Sequence, residues 1–331
     1  MATMGRAISA CLLVGLVPAA HAADAAVKYR APRNEYGQPD LRGVWNFSSD
    51  VPLQRPKDAP DKQFQTREDI AKSNAARDKQ IEQYAQQGVG AHNLFWLDYK
   101  SQAENLRSSL IVYPSNGRMP ALAGGVTRIG GFAAVFKDVP GTRPVRFNLG
   151  GIGKDGPEDR GLSERCIVTE SRPPLTPGFD SNFVQIFQGR DHVVILNEQI
   201  HDARSIFLDE RPPLDDALRG WYGYSRGRWE GETLVIETRN FNGLTQSFDS
   251  AGTSYDKVVT ERLTRIADGT VEYEATVVDP KTFTDKFTLV FPMAKTDKRI
   301  YEFACHEGNY SMEIILSGAR KEEADALQAK Q

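Results

Sequence analysis

The chain has 331 residues, with 41 lysines and arginines against 44 aspartates and glutamates and a formal charge of −3 at pH 7. That balance offers no basic surface for nucleic acid or an anionic membrane, and no apolar run beyond the N-terminal residues approaches the roughly 18 positions of a spanning helix. With 40% hydrophobic residues a sizeable core is feasible, and the length suits one large β-rich domain or two ordinary ones.

The chain opens with Arg6, an apolar run from Ala7 to Val17 and small residues ending Ala20-His21-Ala22. That order predicts a cleavable secretory signal peptide over 1–22 and a periplasmic or secreted protein without an integral membrane segment. Losing Arg6 leaves 40 basic against 44 acidic residues. Losing Cys11 leaves Cys166 and Cys305, a pair that forms a disulfide in an oxidising compartment; the alternative is two buried thiols acting as small apolar residues. Residues 23–40, with Pro32, Asn34, Gly37 and Pro39, read as an extended arm.

Leu41 to Phe47 is a short strand whose Gly43-x-Trp45 resembles the entry strand of lipocalin-like barrels, where the indole closes one barrel end. Any buried tryptophan on a strand gives the same string. Residues 67–87 lack proline and glycine and follow Thr66 as N-cap, which predicts a helix. Its apolar positions Ile70, Ala71, Ala75, Ala76, Ile81 and Ala85 are sparse, so it lies on the domain surface as an N-terminal insertion. The glycine-rich stretch inside 121–161 has no period and reads as a loop or lid.

From residue 106 the pattern turns to short valine, isoleucine and aromatic runs broken by glycine, proline and aspartate. Strands are predicted over 108–113, 164–169, 183–188, 192–199, 204–208, 233–239, 258–266, 271–278, 286–291 and 299–305. Val271, Tyr273, Ala275 and Val277 oppose Glu272, Glu274 and Thr276, the period-two alternation of an antiparallel sheet with one polar face. Ala267-Asp268-Gly269-Thr270 and Trp229-Glu230-Gly231-Glu232-Thr233 read as tight reversals. The expectation is a mainly β fold: an antiparallel meander over 41–320 that closes into a lipocalin-like barrel, with 321–331 as a C-terminal tail.

Two clusters carry candidate chemistry. Leu196 to Arg204 gathers Glu198, His201, Asp202 and Arg204; on a straight strand Asn197, Gln199 and His201 share a face. This suits a histidine general base oriented by a carboxylate, with Arg204 neutralising an anionic substrate or intermediate, or else a strand end with solvated charges. The second cluster, Cys305-His306-Glu307-Gly308-Asn309-Tyr310, ends a predicted strand, where a disulfide to Cys166 would fix His306 and Glu307; the plainer reading is an anchored strand end and a turn. His201, Asp202, His306 and Glu307 are the catalytic candidates, and Arg204, Arg226, Trp229, Asn309 and Tyr310 the ligand-binding ones. Arg226 and Trp229 belong to an aromatic and arginine-rich stretch, 221–231, of the kind that lines sugar or aromatic-ligand sites, although Trp229 also suits a barrel core. No recognised metal spacing, serine elbow, phosphate loop or dinucleotide fingerprint occurs, so neither metal nor cofactor is expected.

Several strings resemble a large family of exported, mostly uncharacterised proteins from proteobacteria and acidobacteria. They include Pro39-Asp40-Leu41-Arg42-Gly43-Val44-Trp45, Ser163-Glu164-Arg165-Cys166, Ile200-His201-Asp202-Ala203-Arg204, Ser225-Arg226-Gly227-Arg228-Trp229-Glu230-Gly231 and Cys305-His306-Glu307-Gly308-Asn309-Tyr310. The resemblance covers nearly the whole mature chain and implies export without implying an activity. Three functions are in view: a barrel enzyme using a histidine and a carboxylate on a small aromatic, polyketide-like or sugar-derived molecule in a lyase, hydratase or isomerase step; a lipocalin-like binding protein; and an envelope component without a ligand. The partner in the first two is a small molecule, and the sequence leaves the oligomeric state open.

Overall fold

The computed structural model describes residues 29–86, 98, 100–128, 153–169 and 172–330, with Tyr84, Ala85 and His201 described in backbone only. The predicted signal peptide and most of the glycine-rich stretch within 121–161 lie outside the described residues.

Among the described residues ten strands and two α-helices follow in chain order: β1 (Gly43–Asn46), α1 (Arg67–Ala85), β2 (Ile111–Tyr113), β3 (Phe183–Gln188), β4 (His192–Asn197), β5 (Ala203–Phe207), β6 (Tyr224–Glu230), β7 (Thr233–Arg239), β8 (Val258–Ala267), β9 (Thr270–Val278), β10 (Phe287–Thr296) and α2 (Ser311–Gln328). β3 to β10 pair in sequence, and β1 pairs with both β3 and β10, so nine strands close into a barrel. β2 pairs with β10 farther along the edge that β1 occupies. The fold is the mainly β, closed barrel expected from the alternation.

One pair departs from a pure meander. β5 and β6 are parallel, with Ile206 opposite Ser225, because the connection over 208–223 carries the chain back to the end from which β5 started. A parallel pair requires such a crossover, whereas short reversals join β3 to β4, β6 to β7 and β8 to β9. The β6–β7 reversal puts Gly231 at φ 63°, a conformation of two-residue hairpin turns that glycine adopts without strain.

The inward face of β9, Val271, Tyr273, Ala275 and Val277, is wholly buried and meets Phe287, Leu289, Phe291 and Met293 of β10, also wholly buried. Tyr273 and Phe291 have ring centroids 4.9 Å apart. Burying each such large side chain contributes about 1.5–3 kcal/mol. One barrel end is closed by the arm and β1: Trp45 is 0% exposed and its indole N–H donates to the Leu41 carbonyl at 2.8 Å. The Arg265 guanidinium stands 6.0 Å from the Trp45 ring centroid and donates to the Asp40 carbonyl at 2.9 Å. Gln188 clamps the arm, accepting from Leu41 N at 2.6 Å and donating to the Pro39 carbonyl at 3.0 Å. The Gly43-x-Trp45 string thus sets a buried indole against Leu41 and Arg265.

Helix α1 begins at Thr66 with reciprocal capping: Asp69 N donates to Thr66 Oγ1 at 3.1 Å, and Thr66 N to the Asp69 carboxylate at 2.9 Å. Two predicted strands are absent. Residues 164–169 form turns, with Cys166 at φ 55° and Ile167 N bonded to the Leu162 carbonyl at 2.9 Å. Residues 299–305 carry no regular structure. Both are joined by the Cys166–Cys305 disulfide, so covalent and loop contacts replace the ladder that their β-branched and aromatic residues suggested. The predicted tail 321–331 is mostly the second half of α2, which Arg320 ties to the carbonyls of Lys154 and Asp155, both at 3.0 Å.

Candidate functional site

Alternation on β4 to β9 brings a line of polar side chains into the barrel. Arg204 of β5 faces inward opposite Ile195, and Glu261 of β8 takes the inward position between Val259 and Leu263. Arg204 makes a two-pronged ion pair with Glu261, Nη2 donating to Oε1 at 2.8 Å and Nη1 to Oε2. The Tyr273 hydroxyl donates to Glu261 at 2.8 Å and accepts from Leu175 N at 2.8 Å. Arg204 Nη1 also reaches Thr238 Oγ1 at 3.3 Å, and Thr238 shares a hydrogen bond of 2.8 Å with Ser225.

The Glu261 side chain is 0% exposed and that of Arg204 11%. Burial opposes the charge on Arg204, yet the Glu261 carboxylate outweighs it and holds the guanidinium pKa above its ordinary value. Burial pushes the Tyr273 phenol well up, and the Glu261 charge adds to this. At the entry to β8, Lys257 donates to the carbonyls of Pro173 at 3.2 Å and Ser247 at 3.1 Å, and stands 4.3 Å from the Phe241 ring centroid. Its burial, reinforced by Arg172, drives its pKa well down.

At this end of the barrel β4 stops at Asn197, whose N–H closes onto the Asp202 carbonyl at 2.8 Å. The turn between them is a 3₁₀ segment, Gln199–His201, with Ile200 at φ 56°. The expected shared face of Asn197, Gln199 and His201 on a straight strand is therefore corrected: the strand ends at Asn197 because the chain reverses there. The turn leaves Asp202 at the mouth, where the Tyr222 hydroxyl donates to its carboxylate. Asn197, Asp202, Arg204 and Tyr222, with Leu175, Ile195 and Ala203, line a cavity of about 60 Å³ that reaches down to the guanidinium. Two water molecules fill roughly such a volume. Trp45, Leu263, Tyr273 and Phe291 are among the buried side chains of the hydrophobic core.

Two sequence candidates, Asp202 and Arg204, thus meet at one cavity. The side chain of His201 lies outside the described residues. His306 and Glu307 are exposed, as is Tyr310 at 68%, and none of the three lines the mouth cavity. Asn309 is structural, its amide donating to the Glu164 carbonyl at 3.1 Å. The Glu198 carboxylate accepts from Tyr301 N, in the segment that leads to the second cluster, at 3.3 Å; burial pushes the Glu198 pKa up, with Asp98 and Asp180 adding to it. Trp229 faces inward and packs against the hydrophobic core. Arg226 lies on the outer wall, beside a groove of about 590 Å³. Among the described residues no group of three or more histidine, cysteine, aspartate or glutamate side chains is arranged to hold a metal.

Sequence reading passed over Glu261, Tyr273 and Lys257. A signal existed for Glu261, a carboxylate at an inward position of an otherwise apolar strand face. Tyr222 lay inside the 221–231 aromatic stretch, but its pairing with Asp202 depends on the 208–223 crossover. No helix among the described residues is long and apolar enough to cross a membrane. No protein-family model, curated protein or solved structure matches the chain.

Proposed function

We propose that this is an exported small-molecule-binding barrel that takes the polar end of its ligand at the mouth. The observation that carries the reading is the convergence of Asn197, Asp202, Arg204 and Tyr222 on one cavity. Binding sites place a few polar groups in otherwise apolar walls, and Leu175, Ile195 and Ala203 supply such walls here. Because Glu261 already balances Arg204, and Asp202 adds a carboxylate, the mouth disfavours an anion. It suits a neutral hydroxyl or carbonyl, which accepts from Arg204 and, as a hydroxyl, donates to the Asp202 carboxylate or the Tyr222 oxygen. A cavity of about 60 Å³ holds only that group. The body of a phenol, polyketide or sugar derivative then rests outside, against the segment that carries Leu175.

Export rests on the leader pattern of residues 1–22 and on the Cys166–Cys305 bridge, which persists in oxidising compartments. A second reading, acid–base turnover, is favoured by the Tyr222–Asp202 hydrogen bond, which links a proton donor to an acceptor at the cavity. Binding is preferred because His306 and Glu307 stand exposed and away from the mouth cavity.

The test is to expose purified protein to envelope extract, elute what it retains and identify it by mass spectrometry. Wild type retains a neutral hydroxyl- or carbonyl-bearing compound, while Tyr222→Phe and Asp202→Asn lose it at unchanged melting temperature. Equal retention by the variants contradicts the proposal. Conversion of the eluted compound on longer incubation would favour turnover over binding.

A further inference from the structure

We infer that the outer wall of the barrel carries a second site, a saccharide-binding groove between β6–β7 and the crossover segment, independent of the mouth. Its floor is a two-by-two block of cross-strand neighbours: Tyr224 opposite Arg239 and Arg226 opposite Glu237. The crossover forms the facing wall, and Asn240 holds it there, donating to the carbonyls of Asp215 at 3.0 Å and Leu218 at 3.2 Å. The groove measures about 590 Å³, within the roughly 300–1,000 Å³ range of small-ligand sites.

Its chemistry points to a neutral polyhydroxylated ring. Phe207 braces Tyr224 from one side, with centroids 5.8 Å apart and planes 25° from parallel, and Arg211 covers Phe207 at 3.9 Å. Tyr224 also lines the groove, as a fixed platform for the C–H face of a ring. Arg226 spends one nitrogen on the Asp209 carbonyl at 3.0 Å and makes no ion pair among the described residues, so it remains a donor toward the groove. Arg239 and Glu237 are paired at 2.9 Å and present a donor beside an acceptor, and Asp216 adds a carboxylate from the crossover wall. Sugar hydroxyls both donate and accept. A free anion would meet Asp216 and Glu237, and a free cation Arg226 and Arg239, so either charge is repelled by part of the lining.

The experiment titrates the mature protein, by calorimetry and by ligand-observed NMR, with maltose, cellobiose and N,N′-diacetylchitobiose, and with glucuronic acid and glucosamine as charged counterparts. The expected result is saturable binding of at least one neutral disaccharide, weakened by about tenfold or more in Tyr224→Ala and in Arg226→Ala. Tyr224→Phe, which keeps the platform, and Tyr222→Phe, which alters only the mouth, leave it unchanged. Arg226 is partly exposed, so its variant stays folded should Tyr224→Ala fail to. No binding by any neutral disaccharide, binding that survives Arg226→Ala, or tighter binding of a charged counterpart overturns the assignment. Loss in Tyr222→Phe would place the sugar at the mouth and overturn it too.

Discussion

Replacing Glu261 by Gln should destabilise the barrel far more than replacing the whole ion pair. The carboxylate is 0% exposed and receives two guanidinium nitrogens and the Tyr273 hydroxyl. Its neutralisation leaves the Arg204 charge, whose side chain is 11% exposed, without a counter-charge. Breaking a buried pair in this way costs about 3–5 kcal/mol. At roughly 2.1 cal/mol/K per residue, a folded chain of about 300 residues loses ~1.6 °C per kcal/mol, so the melting temperature falls by about 5–8 °C. In Arg204→Met/Glu261→Leu both charges disappear, Ser225 and Thr238 keep each other, and Tyr273 keeps Leu175 N. That double variant should lie within about 1–2 kcal/mol of wild type, because removing both partners avoids an uncompensated buried charge. Urea unfolding followed by tryptophan fluorescence measures all three proteins. A Glu261→Gln variant within about 0.5 kcal/mol of wild type, or a double variant no better than the single, would refute the reasoning.

The remaining expectations concern other parts of the fold. Cys166 and Cys305 are 139 residues apart in sequence, so the chain-entropy relation caps the contribution of their bridge at about 5 kcal/mol; Cys166→Ser/Cys305→Ser should unfold at lower denaturant, as should reduced wild type, and unchanged midpoints would exclude a stabilising role. Trp45→Ala, which opens the closed end of the barrel, should cost about 3–5 kcal/mol by the same unfolding assay. Glu198 has a raised pKa from burial, with Asp98 and Asp180 adding to it, so the folded state holds its proton more tightly than the unfolded state. Its contribution is favourable in acid and is lost as pH rises from the ordinary glutamate value through the raised one. Glu198→Gln should therefore flatten the decline in unfolding free energy over that window, and an unchanged slope counts against the assignment.

The parts of this fold legible in sequence are those where one strand face is apolar and the other polar. β7 falls on the predicted 233–239, and the Asp268-Gly269 reversal joins β8 to β9. The same criterion misled at 164–169 and 299–305, where β-branched and aromatic residues serve a disulfide-tied loop pair. β6 escaped notice because its inward residues are Ser225, Gly227 and Trp229. The glycine there is required by close packing, since a Cβ would lie 2.7 Å from Ile206 Cγ2, and a face so small carries little hydrophobic signal. α2 was missed because its large apolar residues crowd into its first turns, Met312 to Leu316, and only Ala319 along it is buried. At the site, Arg204 and Asp202 stood out as charges beside a strand. Their partners Glu261, Tyr273 and Tyr222 come from three other segments, and only the closure of the barrel brings them together.

The most direct test of the mouth as the binding site is hydrogen–deuterium exchange with and without the compound recovered from envelope extract. Binding at the mouth should slow exchange in residues 172–176 and 198–204, which line the cavity together with Tyr222, and leave the closed end around Leu41 and Trp45 unchanged. Slowing confined to the crossover wall at 213–219, or to the disulfide-tied segment around His306, would contradict the account.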